Sequence, residues 1–246
     1  MLYSDFETKN RKKEGIFMAG TVYAVGVGPG DPELLTQKAV RLIEETGVIA
    51  FPGKSAERSA AYRIAEGAVP GIMDKELVPV HMPMTRDLGA MAEAHREGAG
   101  ILEKYLDEGR DVVWLSLGDP TVFCSFSYLK RILEQDGYRT VLVPGVTSFC
   151  AAAAQLGTPL AEWDEPVHIL PAAYSGEDAL GQPGTYVLMK SGSRMSGVKE
   201  LLINSGRYVQ AVENCGMDGE KLYRSAEEIP DEAGYFTLII AKEKKD

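Results

Sequence analysis

The stretch Thr21-Val22-Tyr23-Ala24-Val25-Gly26-Val27-Gly28-Pro29-Gly30-Asp31-Pro32 decides the fold. Residues 21–27 form a near-continuous apolar run that ends among glycines, the pattern of a strand buried on both faces. Asp31-Pro32 then opens a helix, because aspartate caps free N–H groups and proline is tolerated at the first helical position. With Leu35, Ala39 and Leu42 on one face, that helix is predicted to run to about Glu45. Residues 48–51 read as the next strand. Strand, glycine turn, helix and strand together begin an α/β layer with parallel strands.

The alternation continues along the chain. Residues 77–80, 112–117, 140–143, 167–170, 186–189, 208–212 and 236–241 read as strands. Residues 87–107, 125–135 and 148–156 read as helices, and 201–204 close one more. The expected architecture is two α/β domains with mixed, largely parallel sheets, and no internal repeat. The N-terminal domain is expected over 19–120 and the C-terminal domain over 121–246. Residues 1–18 read as a loose polar extension without a signal-peptide core, with Met18 as an alternative start.

Composition excludes several classes. Of 246 residues, 45% are hydrophobic and 25% charged, which is ordinary for a globular chain with a real core. The net charge of −10 disfavours nucleic acid as a partner. No apolar run reaches the ~18 residues of a membrane span, so the expected location is the cytoplasm. Cys124, Cys150 and Cys215 form no CxxC pair, and His81, His95 and His168 form no HExxH. Neither a disulfide framework nor a bound metal is expected.

Three turns carry the chemistry. In the first, Gly26, Gly28 and Gly30 let backbone approach a ligand closely. The turn is not a dinucleotide fingerprint, because GxGxxG requires glycine where Asp31 stands. An acidic side chain there opposes a pyrophosphate, and no acidic residue ends the second strand. The second turn, Ser116-Leu117-Gly118-Asp119-Pro120-Thr121-Val122-Phe123, follows the strongest strand. Asp119 there is suited to accept hydrogen bonds from a ribose or amino group, or simply to close an Asx-turn. The third, Val143-Pro144-Gly145-Val146-Thr147-Ser148, leads into an alanine-rich helix that either hydroxyl can cap.

GxGPGDP, a GDP about ninety residues on, and PGVTS about twenty-five later resemble the tetrapyrrole methylase family over residues 21–241. Pro83-Met84-Thr85 with Asp87, Phe126-Ser127-Tyr128-Leu129 and Leu170-Pro171-Ala172 resemble the branch acting on precorrin-2 or cobalt-factor II. That resemblance implies S-adenosylmethionine as methyl donor in a cleft between two α/β domains, a tetrapyrrole methylated at meso carbon 20, and a homodimer. It implies donor contacts from Pro29, Leu117, Gly118, Asp119, Val122, Thr147, Ser148 and Met189, then Cys215 or Gly216, and Thr237. Alternatives are another tetrapyrrole methylase, acting on uroporphyrinogen III or a later precorrin, or a non-catalytic relative that only binds the donor.

The reaction is a displacement on an activated sulfonium methyl, and no nucleophile–base constellation stands out in the sequence. Asp31, Asp119, Tyr128 and His81 are the candidates for a general base, and no one of them is singled out. A substrate rich in carboxylates needs cations. Lys54 and Arg86 are the first candidates, followed by Arg58, Lys130, Lys190 and Arg194.

Overall fold

The computed structural model describes residues 19–85, 87–172 and 177–244. The extension expected over 1–18 and the cation candidate Arg86 lie outside the described residues. The chain forms two compact units that it enters more than once. The first takes the segments up to Val25, Gln37–Ser116 and Phe123–Val143. The second takes Gly26–Thr36, Leu117–Val122 and the chain from Pro144 onward.

The first unit is built on five strands: β1 (Thr21–Gly26), β2 (Val48–Pro52), β3 (Glu76–Val80), β4 (Val112–Ser116) and β5 (Arg139–Val143). They lie in the order β3-β2-β4-β1-β5. Thr21 pairs with Arg139, and Val48 pairs with both Glu76 and Val112, all in parallel. Every residue of β4 is buried, which is why its sequence is apolar without alternation. Among the described residues, its α-helices are α1 (Gln37–Glu45), α2 (Ala60–Ala68), α3 (Leu88–Asp107) and α4 (Phe126–Gln135). Ala99, Leu102 and Leu106 of α3 and Phe126, Leu129 and Leu133 of α4 pack with Val22, Ala24, Ala50 and Trp114 of the sheet. Asp87 starts α3 by accepting from the N–H groups of Gly89 and Ala90 at 2.9 and 3.1 Å. Truncating a buried aromatic such as Phe126 to alanine costs about 3–5 kcal/mol.

The second unit carries β6 (Val167–Pro171), β7 (Thr185–Met189), β8 (Tyr208–Glu213), β9 (Lys221–Tyr223) and β10 (Thr237–Lys242). The order is β6-β7-β10-β8-β9. Only β6 and β7 run parallel; β10 is antiparallel to β7 and β8, and β9 is antiparallel to β8. Side chains alternate across this sheet with the strand period of two. Val187, Val212, Leu238 and Ile240 face helix α5 (Ser148–Leu156), meeting Ala152, Ala153 and Leu156. Tyr186, Leu188, Ala211, Ile239 and Ala241 face helix α6 (Met195–Asn204), meeting Met195, Val198 and Leu202.

One helix differs from expectation. The helix predicted from Asp31 to Glu45 is two pieces. Asp31 does cap, its carboxylate accepting from the Glu33 N–H at 2.9 Å, but it opens only a 3-10 turn, Pro32–Leu34. Leu35 is extended, at φ −66° and ψ 136°, and α1 begins at Gln37. The break falls where the chain passes from the second unit into the first. Among the described residues no helix is long and apolar enough to cross a membrane.

Candidate functional site

Three connections leave the carboxyl ends of β1, β4 and β5, which are neighbours in the order β4-β1-β5. Ligands of open α/β sheets bind at such ends. All three connections belong to the second unit, where they hold one another through backbone. Gly28 and Gly118 form an isolated antiparallel bridge, N–H to carbonyl both ways, at 2.8 and 3.3 Å. Gly118 adopts φ +69° and Gly28 φ +76°, conformations that a side chain would strain.

The glycines are explained by these mutual approaches. A Cβ on Gly26 would stand 2.6 Å from the Gly118 carbonyl oxygen and 2.7 Å from the Gly145 nitrogen. A Cβ on Gly145 would stand 2.3 Å from the same Gly118 oxygen and 2.8 Å from the Gly26 Cα. Gly26, Gly118 and Gly145 are therefore where three loops touch main chain to main chain. A fourth segment joins them. Gly30 abuts Cys215 and Gly216, which follow β8, and Gly216 at φ +71° abuts the Asp31 nitrogen in return.

Asp119 fastens the second loop to the third. One carboxylate oxygen accepts from the Thr121 N–H at 2.8 Å and from the Thr121 hydroxyl. The other accepts from the Gly145 N–H at 2.9 Å. Burial pushes the Asp119 carboxyl up, but these three donors outweigh it and hold the group below the ordinary aspartate value. The carboxylate is thus ionised at neutral pH and largely engaged by the protein itself.

Beyond Gly145 the chain enters α5 through Thr147 and Ser148. Thr147 occupies the cap position, but its side chain makes no capping bond. Its Oγ1 is fully buried and has no hydrogen-bond partner, as is true of the Thr237 Oγ1 at the start of β10. A buried hydroxyl without a partner costs about 1–3 kcal/mol. Met189 ends β7 and packs with Cys215, Leu238 and α5 in one apolar cluster. Since Ile239 pairs with Leu188, Met189 and Thr237 lie at the same end of the sheet. Burial, helped by Glu220, pushes the Cys215 thiol up to about 11, so it is neutral.

The structure thus links Gly28 to Gly118 and Gly30 to Cys215 through backbone contacts, with Pro29 between the two glycines in sequence and Asp119 tied to Gly145 by its carboxylate. Ser148 is next in line, since a Cβ on Gly118 would lie 3.8 Å from its nitrogen. Met189 and Thr237 join through the sheet and α5. Leu117 and Val122 are carried by the Asp119 turn, Val122 N–H donating to the Asp119 carbonyl at 3.3 Å. The cation candidates fare differently. Lys54 and Arg58 are exposed on the connection after β2. Lys130 is engaged by Glu134 one helical turn away, at 2.6 Å. Of the base candidates, Asp31 is occupied as a cap, His81 is exposed, and Tyr128 stacks on the buried His95 at 4.5 Å. Among the described residues no group of three or more His, Cys, Asp or Glu side chains is arranged to hold a metal.

Sequence reading missed one feature of this region. Ser191, just after β7, is buried with an unpartnered hydroxyl. Nothing in a serine between Lys190 and Gly192 signals burial.

A parallel sheet whose three adjacent strands end in interlocked glycine turns, with a mixed sheet later in the chain, defines an α/β protein. The family model of the Tetrapyrrole (Corrin/Porphyrin) Methylases matches residues 21–230. The chain belongs to that family. The cobalamin biosynthesis protein CobIJ of Mycobacterium tuberculosis is 35% identical over 232 residues, covering 90% of this chain and 46% of that protein. The chain therefore spans about half the length of that relative. The precorrin-2 C(20)-methyltransferase of Sinorhizobium sp is 31% identical over 238 residues, covering 92% of this chain and 97% of that protein. Among solved structures, a uroporphyrin-III C-methyl transferase from Thermus thermophilus, complexed with S-adenyl homocysteine, has a TM-score of 0.68 at 27% identity. The match covers 91% of this chain and 92% of that one.

Proposed function

We propose that the protein is an S-adenosylmethionine-dependent C-methyltransferase that methylates precorrin-2 or cobalt-factor II at meso carbon 20. One observation carries the reading: buried, unpartnered hydroxyls, those of Thr147 and Thr237 among them, occur in the unit where three glycine turns interlock. A nucleoside bearing hydroxyls, an amine and a carboxylate offers the partners they lack. The Sinorhizobium relative, of nearly equal length, supports the carbon-20 assignment by its name.

In this reading Pro29, Leu117, Gly118, Asp119 and Val122 meet the donor mainly through backbone. Thr147, Ser148 and Thr237 meet it through hydroxyls, and Met189 and Cys215 through apolar surface. The donor, when bound, supplies an already activated methyl group. The chain contributes alignment and exclusion of water, for which orientation alone is worth roughly 7–11 kcal/mol in favourable cases. Lys54 and Arg86 are assigned to the carboxylates of the tetrapyrrole. The protein acts in the cytoplasm as a homodimer, independent of membrane and nucleic acid.

Titration calorimetry with S-adenosylhomocysteine, and separately with NAD, tests the donor site. The reading expects binding of the first and none of the second. A protein that binds neither, or only NAD, contradicts it.

A further inference from the structure

The geometry points to Asp119 as a positioning residue that acts through the third loop, not as a side-chain ligand of the donor's ribose. This rests on the donor reading above and deepens it. An aspartate beside a glycine at a strand end invites the opposite assignment, a carboxylate reaching for ribose hydroxyls. The hydrogen bonds decide between them. One carboxylate oxygen has two donors, the N–H and hydroxyl of Thr121, and so both of its lone pairs are used. The other accepts the Gly145 N–H. At most one lone pair is left for a ligand.

What the clip fixes follows from chain order. Gly145 stands two residues before Thr147, whose hydroxyl is buried and unpartnered. Gly145 also presses its backbone on Gly26 and Gly118, the turning points of the other two loops. Holding the Gly145 nitrogen therefore sets the first turn of the Pro144–Thr147 segment against both partners, and with it the aim of Thr147. An asparagine in place of Asp119 keeps the volume. Its amide turns an N–H₂ toward one of the donors it used to bind, so one side of the clip is lost.

The test is a cycle between protein and ligand. Affinities of wild-type and Asp119→Asn protein are measured by calorimetry for S-adenosylhomocysteine and for its 2′-deoxy and 3′-deoxy ribose forms. A positioning role predicts that Asp119→Asn weakens S-adenosylhomocysteine about tenfold or more, the loss of one charge-assisted hydrogen bond. It also predicts that the loss on deleting either hydroxyl is the same in both proteins, to within about twofold. A hydroxyl penalty that disappears in Asp119→Asn shows a direct ribose contact and overturns the inference, as does an unchanged affinity. Thr121→Val provides a second route, because it removes one donor to Asp119 at an exposed position. It should weaken binding modestly in the wild type and have no further effect in Asp119→Asn. Additive effects in that pair overturn the inference. A wild-type protein that binds no S-adenosylhomocysteine sinks the donor reading instead, a result distinct from each of these.

Discussion

Gly30 lies so near Cys215 that a Cβ built on it would stand 2.2 Å from the Cys215 carbonyl oxygen. No rotamer relieves a contact between Cβ and backbone. Gly30→Ala should therefore force the first loop away from the segment after β8, at about 1–3 kcal/mol. Thermal unfolding should show a lower midpoint, and calorimetry a weaker affinity for S-adenosylhomocysteine. Wild-type values for both in Gly30→Ala protein would show that this contact does not shape the site.

The unpartnered hydroxyls of Thr147 and Thr237 make a sharper prediction, because stability and binding should move apart. Replacing Thr147 or Thr237 by valine removes a buried polar group with no partner. Unliganded stability should stay level or rise, since such a group costs rather than gives. Affinity for S-adenosylhomocysteine should fall about tenfold for a lost hydrogen bond of ordinary strength. Both are read from one set of unfolding curves with and without ligand. A drop in stability without ligand, with affinity intact, contradicts the assignment.

Glu213 sets an acid limit on the second unit. Burial pushes its carboxyl up, but the Gly234 N–H at 2.8 Å, the Tyr223 hydroxyl at 2.8 Å and the charge of Lys221 outweigh burial and leave it lowered. Burial, and then the same bond, push Tyr223 up to about 12. A carboxyl lowered in the folded state contributes stability that is present above its unfolded value, about 4.3 for glutamate, and lost as pH falls through the folded value. Glu213→Gln should thus lower stability at neutral pH and flatten its loss between about pH 5 and the acid limit. Urea unfolding at stepped pH reads this directly, and a parallel acid profile for the two proteins would refute it.

The cysteines should separate by reactivity. Cys150 is exposed, whereas Cys215 is buried with its thiol at about 11. Since the thiolate is the nucleophile, iodoacetamide at neutral pH should label Cys150 and spare Cys215 in the native protein. Equal labelling of both, read by peptide mass spectrometry, would place Cys215 outside the buried cluster it shares with Met189 and Leu238.

These outcomes also show what a chain of this kind discloses before it is folded. The α/β alternation was legible because strands such as β4 are buried on both faces and therefore continuously apolar. The three turns were legible because glycine and proline punctuate strand ends. Their meaning was only half legible. Gly26 reads as room for a ligand, yet it makes room for the backbone of Gly118 and Gly145, a relation between residues far apart in sequence. Helix α2 escaped notice because Ala60–Ala68 holds few bulky apolar residues, and β9 because three residues carry no period. The break at Leu35 was hidden because Asp31-Pro32 starts a 3-10 turn with the same residues that start an α-helix. Unpartnered hydroxyls have no sequence signature at all.

The most direct measurement is a methyl-transfer assay with S-adenosylmethionine and either precorrin-2 or cobalt-factor II, followed by mass spectrometry and carbon-13 NMR of the product. The account predicts the gain of one methyl group, attached at carbon 20, with S-adenosylhomocysteine released in equal amount. A product methylated at any other carbon, or no transfer to either tetrapyrrole by protein that binds the donor, contradicts it.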